Sequence, residues 1–311
     1  MKRATQPRSS ILACVCRTLV AVVACAAALG CASLDFLADF MTSGESHVVE
    51  VSSFVRVERD IPYSTSGDVI LFLDLYLPSS AERVPQARPL IVHVHGGGWT
   101  MGARSCGEAA RYIPALVRHG YVVASVDYRL APKYRFPAQL EDIRRAVAFL
   151  VSDAQRFGID PGRIGLIGTS AGAHLAALYA LERENPTVRA VVDMFGPTDL
   201  RLLFRGEGNL VARSVFGAAR EDAPVLVEAS PACRITSKAP AFLAIHGERD
   251  VMVPLEQSEL FVRKLRDAGA YAELLVIHGA GHALRVARSP IEPSREEISA
   301  AILEFFDRFL R

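Results

Sequence analysis

Three residue types that together make a hydroxyl nucleophilic occur in this 311-residue chain, in the order Ser, Asp, His. Ser170 lies in Gly168-Thr169-Ser170-Ala171-Gly172, between an apolar, β-like segment and an Ala-rich segment typical of a helix. A sharp strand-to-helix turn strains the backbone of its central residue, and small residues two positions to either side let neighbouring chain approach. The motif therefore predicts an exposed, nucleophilic serine at the N-terminus of a helix.

Two further residues have the types and positions needed to activate this serine. A serine hydroxyl needs a base to accept its proton, and the base needs an acid that orients it. Asp250 and His282 each follow a predicted buried strand, in Gly-containing loops. Glu248 and His278 are the alternatives. We favour Asp250 because it lies nearest the following Val-Met-Val-Pro stretch, and His282 because His278 falls at the strand end rather than at the loop tip.

The remaining histidines close to these motifs are interpreted as structural. His93 and His246 lie at the ends of predicted strands, where packed side chains are common. His174 lies four positions after Ser170, one helical turn along the same helix. We expect it to make a structural contact within that helix.

Backbone amides close to Ser170 can stabilise the negative charge that an attack on a carbonyl creates. The amide of Ala171, at the predicted helix N-terminus, is one donor. Gly96-Gly97-Gly98 follows a predicted strand and supplies others, because residues without side chains allow backbone to approach a substrate closely. Neither a Gly-Lys-Ser/Thr sequence nor a dinucleotide-binding turn is present, which argues against a phosphate site.

Strands and helices must alternate to bring these residues to one place. Predicted strands cover residues 51–61, 70–77, 90–95, 121–128, 163–167, 189–195, 241–246 and 272–277. Predicted helices cover residues 106–119, 139–156, 171–181, 254–268 and 296–311. The alternation predicts an α/β fold with a mostly parallel sheet, helices on both faces and an N-terminal hairpin at one edge. In such sheets the chemistry lies at the carboxyl ends of the strands.

In combination, several motifs resemble the α/β-hydrolase carboxylesterases, in particular the acetyl- and feruloyl-esterase-like branch and the neighbouring hormone-sensitive-lipase-like branch. The motifs are His95-Gly96-Gly97-Gly98-Trp99, Asp127-Tyr128-Arg129-Leu130-Ala131-Pro132 with Phe136-Pro137-Ala138, and Gly168-Thr169-Ser170-Ala171-Gly172, followed by Asp250 and His282. The resemblance covers about residues 55–311. It implies the α/β-hydrolase fold and hydrolysis of an ester by way of an acyl-enzyme.

The resemblance also implies roles for particular residues. The amides matching Gly97, Gly98 and Ala171 would form the oxyanion hole. Asp127 and Arg129 match positions that hold the fold together by ion pairing. No cofactor is implied, and no metal-ligand spacing occurs in the sequence.

The substrate depends on the least regular part of the sequence. Residues 199–238 place apolar side chains between charged ones, which predicts a small helical cap over the serine and a modest, short-acyl ester. Trp99 either lines the substrate pocket or packs to anchor its loop. An arylformamidase-type amide hydrolase would use the same machinery, and a non-catalytic binding protein on this fold is the alternative of another class.

The N-terminus predicts export. Residues 1–17 are basic and residues 18–29 apolar, as in a signal peptide, so we divide the chain into a signal (1–31), a tether (32–50) and a catalytic domain (51–311). Cys25 or Cys31 could carry a lipid, which would give a membrane-anchored lipoprotein rather than a soluble periplasmic or secreted protein. Cys106 and Cys233 could form a disulfide or remain free thiols.

The charge of the chain after residue 30 argues against a nucleic-acid partner. Of the 35 basic residues, four lie in the first 30 positions, which hold no acidic residue. The rest carries 31 basic and 34 acidic residues, a net charge of −3. The composition therefore offers no basic patch for nucleic acid. It leaves the oligomeric state open.

Overall fold

Eight strands form one mixed sheet in the part of the chain described by the computed structural model, residues 54–79, 87–105, 107–182, 188–205, 209–286 and 290–311. The predicted signal and tether lie outside these residues, and so does Cys106. The strands are β1 (Val55–Ser66), β2 (Val69–Pro78), β3 (Arg88–Val94), β4 (Val122–Val126), β5 (Ile159–Thr169), β6 (Val188–Met194), β7 (Ala241–Gly247) and β8 (Ala272–Ile277). Their spatial order is β1-β2-β4-β3-β5-β6-β7-β8.

The first two strands form the antiparallel hairpin that the sequence predicts. β1 pairs with β2, and β2 pairs antiparallel with β4. All the other neighbouring strands are parallel. The carboxyl ends of β3, β5, β6, β7 and β8 therefore meet at one edge of the sheet, where the candidate residues follow.

Helices cover both faces of the sheet. They are α1 (Ile113–Arg118), α2 (Ala138–Ser152), α3 (Ala154–Phe157), α4 (Ala171–Ala180), α5 (Leu200–Leu203), α6 (Pro224–Glu228), α7 (Glu256–Asp267) and α8 (Arg295–Leu310). Short 3₁₀ turns occur at Glu108–Tyr112, Pro231–Cys233 and His282–Leu284, and a π-helical turn at Ala212–Phe216. In the part of the chain that the structure describes, no helix is long and apolar enough to cross a bilayer.

The alternation of side chains along the central strands divides the core into two layers. Leu90 and Val92 of β3 point into the layer with α2, α4 and α7, whereas Ile91 points into the layer with α1 and α8. All three are fully buried. Strands buried on both faces read as continuous apolar runs, and this is why the sequence showed no polar alternation there.

The predicted mostly parallel sheet with helices on both faces is confirmed, and most boundaries agree within a few residues. The predicted helix over 106–119 is instead a 3₁₀ turn followed by α1, which begins at Ile113 with Pro114 in its first turn. Because proline lacks an N–H and clashes with the preceding turn, Pro114 fits the first turn of a helix but not its interior.

Candidate active site

Ser170 lies at the turn between β5 and α4. Its φ of 51° and ψ of −120° are sterically unfavourable for a residue with a side chain, and its N–H donates to the carbonyl of Met194 at 2.9 Å. A Cβ on Gly172 would lie 2.2 Å from the Val94 carbonyl oxygen of β3. Position 172 therefore admits only glycine, and the close approach of β3 to α4 depends on it.

Ser170, His282 and Asp250 form a continuous chain of contacts. The Oγ of Ser170 lies 3.2 Å from Nε2 of His282, and Nδ1 of His282 lies 2.7 Å from Oδ2 of Asp250. A carboxylate only accepts hydrogen bonds, so Nδ1 carries the proton and Nε2 presents a lone pair to the serine hydroxyl. This tautomer can take the proton of Ser170 during an attack.

Asp250 is buried but fully hydrogen-bonded. Its Oδ1 accepts from the amides of Met252 and Val253 at 2.9 and 2.8 Å. Burial alone would raise the pKa of this carboxyl, but the charge of His282 and hydrogen bonds from His246 and His282 hold the pKa well below its ordinary value. Asp250 is therefore ionised at neutral pH, and a carboxylate in this position can stabilise a positive charge on His282.

The loops that carry the acid and the base are joined to each other. The N–H of Glu248 donates to the carbonyl of Ile277 at 3.0 Å, and the N–H of Arg249 donates to the carbonyl of Ala280 at 2.9 Å. The base loop is in turn held to α8, because Arg295 donates to the carbonyl of Leu284 at 3.0 Å. These bonds fix the distance between Asp250 and His282.

The three predicted oxyanion donors come from two elements. Ala171 is the first residue of α4, so its amide has no acceptor within the helix. Gly97 and Gly98, after β3, have φ of 115° and 57°. A Cβ on Gly97 would lie 2.2 Å from the carbonyl oxygen of Met101, so this turn requires glycine. Gly96 packs against the turn at Ser170, since a Cβ on Gly96 would lie 3.6 Å from Cβ of Ser170.

Sequence comparison identifies the family of this chain. The family model BD-FAE matches residues 73–265, which is more than half of the chain. The chain belongs to the BD-FAE family. The family resemblance predicted from the motifs is thereby confirmed.

Several named relatives and solved structures are similar to this chain. The chain is 34% identical over 254 residues to esterase LipQ and 33% identical over 216 residues to esterase LipC, both from Mycobacterium tuberculosis. These matches cover 74% and 62% of this chain but 58% and 52% of the relatives, so the chain spans little more than half of their length. A hyperthermophilic esterase from Pyrobaculum calidifontis superposes with a TM-score of 0.67 at 26% identity, covering 82% of this chain and 87% of that one. The fold is the α/β-hydrolase fold.

The alternative acid and base lie away from Ser170. The side chains of Glu248 and His278 are 44% and 64% exposed and face each other at 3.5 Å. Neither contacts Ser170, and the N–H of Gly279 donates to Glu248. Their geometry favours the choice of Asp250 and His282.

His246, interpreted from the sequence as a packed strand-end residue, is fully buried but also touches the acid. Its Nε2 lies 2.7 Å from the carbonyl of Val253 and 3.4 Å from Oδ2 of Asp250. A carbonyl only accepts, so Nε2 carries a proton and Nδ1 accepts from the hydroxyl of Ser258 at 2.7 Å. His246 thus fastens the acid loop to α7.

Three further motif residues, Trp99, Asp127 and Arg129, make close contacts within the fold. The side chain of Trp99 is 4% exposed and packs on Phe216, so its contacts favour the packing alternative. Asp127 pairs with Arg104, and Arg129 pairs with Asp142 at 2.8 Å. The predicted ion pairing of both residues is confirmed.

Phe195 is a site residue that the sequence analysis missed. Its ring packs edge-on against the imidazole of His282, with 5.0 Å between ring centroids. Its φ of 47° is a left-handed conformation that non-glycine residues rarely adopt. Asp193 holds this turn, because its Oδ1 accepts from the amide of Gly196 at 2.8 Å. The only sequence signal was its position after a strand and before Gly-Pro, which says nothing of a contact with a distant histidine.

Asp193 should make the stability of the fold depend on pH. It is fully buried, its Oδ2 has no partner among the described residues, and burial raises its pKa from 3.8 to about 6. Between these values the folded protein keeps a proton that the unfolded chain releases, so the free energy of unfolding falls as pH rises. The full change is about 3 kcal/mol.

Asp193→Asn should therefore gain stability relative to the wild type between pH 4 and pH 6. Urea unfolding of both proteins at several pH values measures the difference. Asp222→Asn, at an exposed side chain, is the matched control. A difference between Asp193→Asn and the wild type that does not change with pH would contradict the prediction.

Within the described residues, no group of three or more His, Cys, Asp or Glu side chains has an arrangement that could hold a metal ion. Cys233 is exposed, and its Sγ accepts a 3.5 Å hydrogen bond from Arg201. Because Cys106 lies outside the described residues, a disulfide between Cys106 and Cys233 and two free thiols both stay predictions.

Proposed function

We propose that this chain is a serine carboxylic ester hydrolase in which Ser170 is the nucleophile, His282 the general base and Asp250 the orienting acid. The observation that carries the proposal is the unbroken series of contacts from Asp250 through His282 to Ser170, with the tautomer of His282 fixed by an ionised carboxylate. The names of LipQ and LipC, both esterases, support the reaction class.

The reaction proceeds in two halves. The Oγ of Ser170 bonds to the ester carbonyl carbon while its proton passes to Nε2 of His282, and the carbonyl oxygen becomes an oxyanion. The amides of Gly97, Gly98 and Ala171 donate to that oxygen. The tetrahedral intermediate then expels the alcohol, which takes the proton from His282. A water molecule repeats the sequence on the acyl-enzyme, releasing the acid and restoring Ser170.

The substrate is a small or short-acyl ester. Residues 199–238 form only short helical turns among their described positions, the longest being the five-residue α6 and the five-residue π-helical turn. Phe204 and Phe216 from this segment are buried against each other rather than lining an open cleft. A cap this short offers little apolar surface for a long acyl chain.

A substrate series tests the proposal and its rival. We expect kcat/KM for p-nitrophenyl acetate and butyrate to exceed that for p-nitrophenyl octanoate by about ten-fold or more. The reason is that the methylenes of octanoate that do not fit the pocket weaken binding of its transition state. N-formylkynurenine, assayed beside them, represents the arylformamidase alternative. Activity confined to the formyl amide would overturn the esterase assignment, and a preference for octanoate would overturn the short-acyl assignment.

We also propose that the protein is exported. Residues 1–31 would direct it across the membrane, after which the chain is either released as a soluble form or held by a lipid on Cys25 or Cys31. Mass spectrometry of the N-terminal peptide from the exported protein distinguishes these outcomes. A peptide that begins at Met1 would contradict export with cleavage.

A further inference from the structure

The oxyanion donors lie on two separate elements whose spacing must be fixed. Gly97 and Gly98 belong to the loop after β3, whereas Ala171 belongs to α4. A site of this kind works only when its donors are held to within about half an ångström of the productive geometry. The two elements therefore need a rigid connection close to the donors.

A buried hydrogen bond between Trp99 and His174 provides such a connection. Trp99 is adjacent to Gly98, and its Nε1 donates to Nδ1 of His174 at 3.2 Å. His174 lies one turn along α4, where its N–H donates to the carbonyl of Ser170 at 3.0 Å. The Trp99 side chain is 4% exposed and His174 is fully buried.

The second nitrogen of His174 reaches the 199–238 segment. Its Nε2 lies 2.7 Å from the carbonyl of Ala229, which follows α6. Phe216 of the same segment packs edge-on against the indole of Trp99, with ring centroids 5.1 Å apart, and lies 6.1 Å from the imidazole of His174. One imidazole thus contacts the oxyanion loop, the nucleophile helix and the 199–238 segment.

The chemistry of the partners fixes the state of this imidazole. An indole N–H can only donate and a carbonyl can only accept, so Nδ1 of His174 is unprotonated and Nε2 carries the proton. A second proton would set two N–H groups against each other and place a charge in the core. In agreement, burial lowers the pKa of His174 to about 4, although the hydrogen bond to Ala229 opposes the shift.

We propose that His174 is a positioning residue that holds the oxyanion loop through Trp99 and couples it to the 199–238 segment through Ala229. Trp99 therefore acts on the reaction through its N–H rather than by touching the substrate. The strain at Trp99, whose φ is 60°, fits this function, because a left-handed non-glycine residue persists only where its surroundings hold it. This inference rests on the proposed esterase function for its kinetic consequences only.

Two substitutions of His174 separate its two hydrogen bonds. The amide of asparagine lies near the position of Nδ1, so His174→Asn can keep the acceptor for Trp99 and loses the bond to Ala229. The longer glutamine places its amide near Nε2, so His174→Gln keeps the bond to Ala229 and loses the acceptor. Trp99→Phe removes the same bond from the other side and leaves an aromatic ring in place.

We expect kcat to fall in every variant that loses the hydrogen bond from Trp99 to His174. His174→Gln and Trp99→Phe should each lower kcat on p-nitrophenyl acetate by about 30-fold with KM within about three-fold, since misplaced donors weaken binding of the transition state and not of the substrate. His174→Asn should keep kcat within about five-fold of wild type. The double variant His174→Gln/Trp99→Phe should lose no more than either single variant, because both remove one interaction.

The chain's single tryptophan gives a direct test of the bond that needs no activity. In ¹⁵N-labelled wild type, the one indole N–H resonance should lie downfield and exchange slowly with solvent. It should move upfield and exchange faster in His174→Gln but not in His174→Asn. His278→Gln, at an exposed histidine outside the site, is the matched control.

The outcomes separate this inference from the proposed function. Fast exchange of the indole N–H in wild type overturns the positioning role whatever the enzyme hydrolyses, and this holds even if the variants fail to fold. Losses of kcat that multiply in the double variant, or a rise in KM alone in Trp99→Phe, would also overturn it. A protected indole in a wild-type protein without ester hydrolysis would instead count against the esterase function.

Discussion

Replacement of Ser170 by alanine is expected to lower kcat for ester hydrolysis by about 10⁴- to 10⁶-fold, because no covalent acyl-enzyme can form. The expectation follows from the geometry, since Ser170 occupies a strained turn with its Oγ 3.2 Å from Nε2 of His282. Binding should survive, because the oxyanion amides and the rest of the site are unchanged. KM, or the inhibition constant of a product acid, should therefore change little.

The control for this variant is Ser152→Ala, which makes the same chemical change at an exposed hydroxyl on the last turn of α2. Its activity should equal that of the wild type. A fluorophosphonate probe adds a second measurement, since it should label wild type and Ser152→Ala on one serine and leave Ser170→Ala unlabelled. Hydrolysis that persists in Ser170→Ala would overturn the assignment of the nucleophile.

Replacement of Asp250 by asparagine is expected to lower kcat by about 10³- to 10⁴-fold while the protein stays folded. The amides of Met252 and Val253 donate to Oδ1, so the oxygen of the new amide will keep that position. Its NH₂ group then faces His282 and forces Nδ1 to accept. The proton moves to Nε2, which can no longer take the proton of Ser170.

Glu248→Gln is the matched control, because it neutralises the other acid of the same loop, two residues away and 44% exposed. This variant should retain the activity of the wild type. Equal losses in the two variants would mean that the loop as a whole, and not the carboxylate of Asp250, determines activity. A large loss in Glu248→Gln alone would reverse the assignment of the acid.

Asp250→Asn and Ser170→Ala should differ in their effect on the free energy of unfolding. Asp250→Asn removes a buried charge that four donors hold, among them His246 at 3.4 Å. We expect the variant to unfold at lower urea concentration than Ser170→Ala. Ser170→Ala removes a half-buried hydroxyl and its one contact with Nε2 of His282, but no buried charge.

The architecture could be predicted from the sequence because each layer leaves a local signal. Apolar runs such as the one that became β3, alternating with helical segments, are sufficient to predict a parallel sheet. The nucleophile turn was equally local, because a Cβ on Gly168 would lie 2.5 Å from the carbonyl oxygen of Gly172, a clash within β5 and the helix that directly follows it. Chain order and loop position then favoured Asp250 and His282 over Glu248 and His278.

Contacts between distant segments could not be predicted in the same way. In the sequence, nothing distinguishes His174 from any other histidine on a helix. Only the fold shows that its two ring nitrogens contact Trp99 and Ala229. Phe195 lies 87 positions before His282, yet their rings touch. His246 was expected to be merely packed, whereas the fold sets it against Asp250.

The sequence by itself determined the order of the elements, the strained turn at Ser170, the glycines beside it and the choice of Asp250 and His282 as candidate acid and base. All of these depend on short-range sterics and on where a strand ends. Only the tertiary structure decided which side chains hold that constellation in place: Trp99, His174, Phe195 and His246. Their positions follow from how separate elements pack together, and no pattern within one element specifies a partner in another.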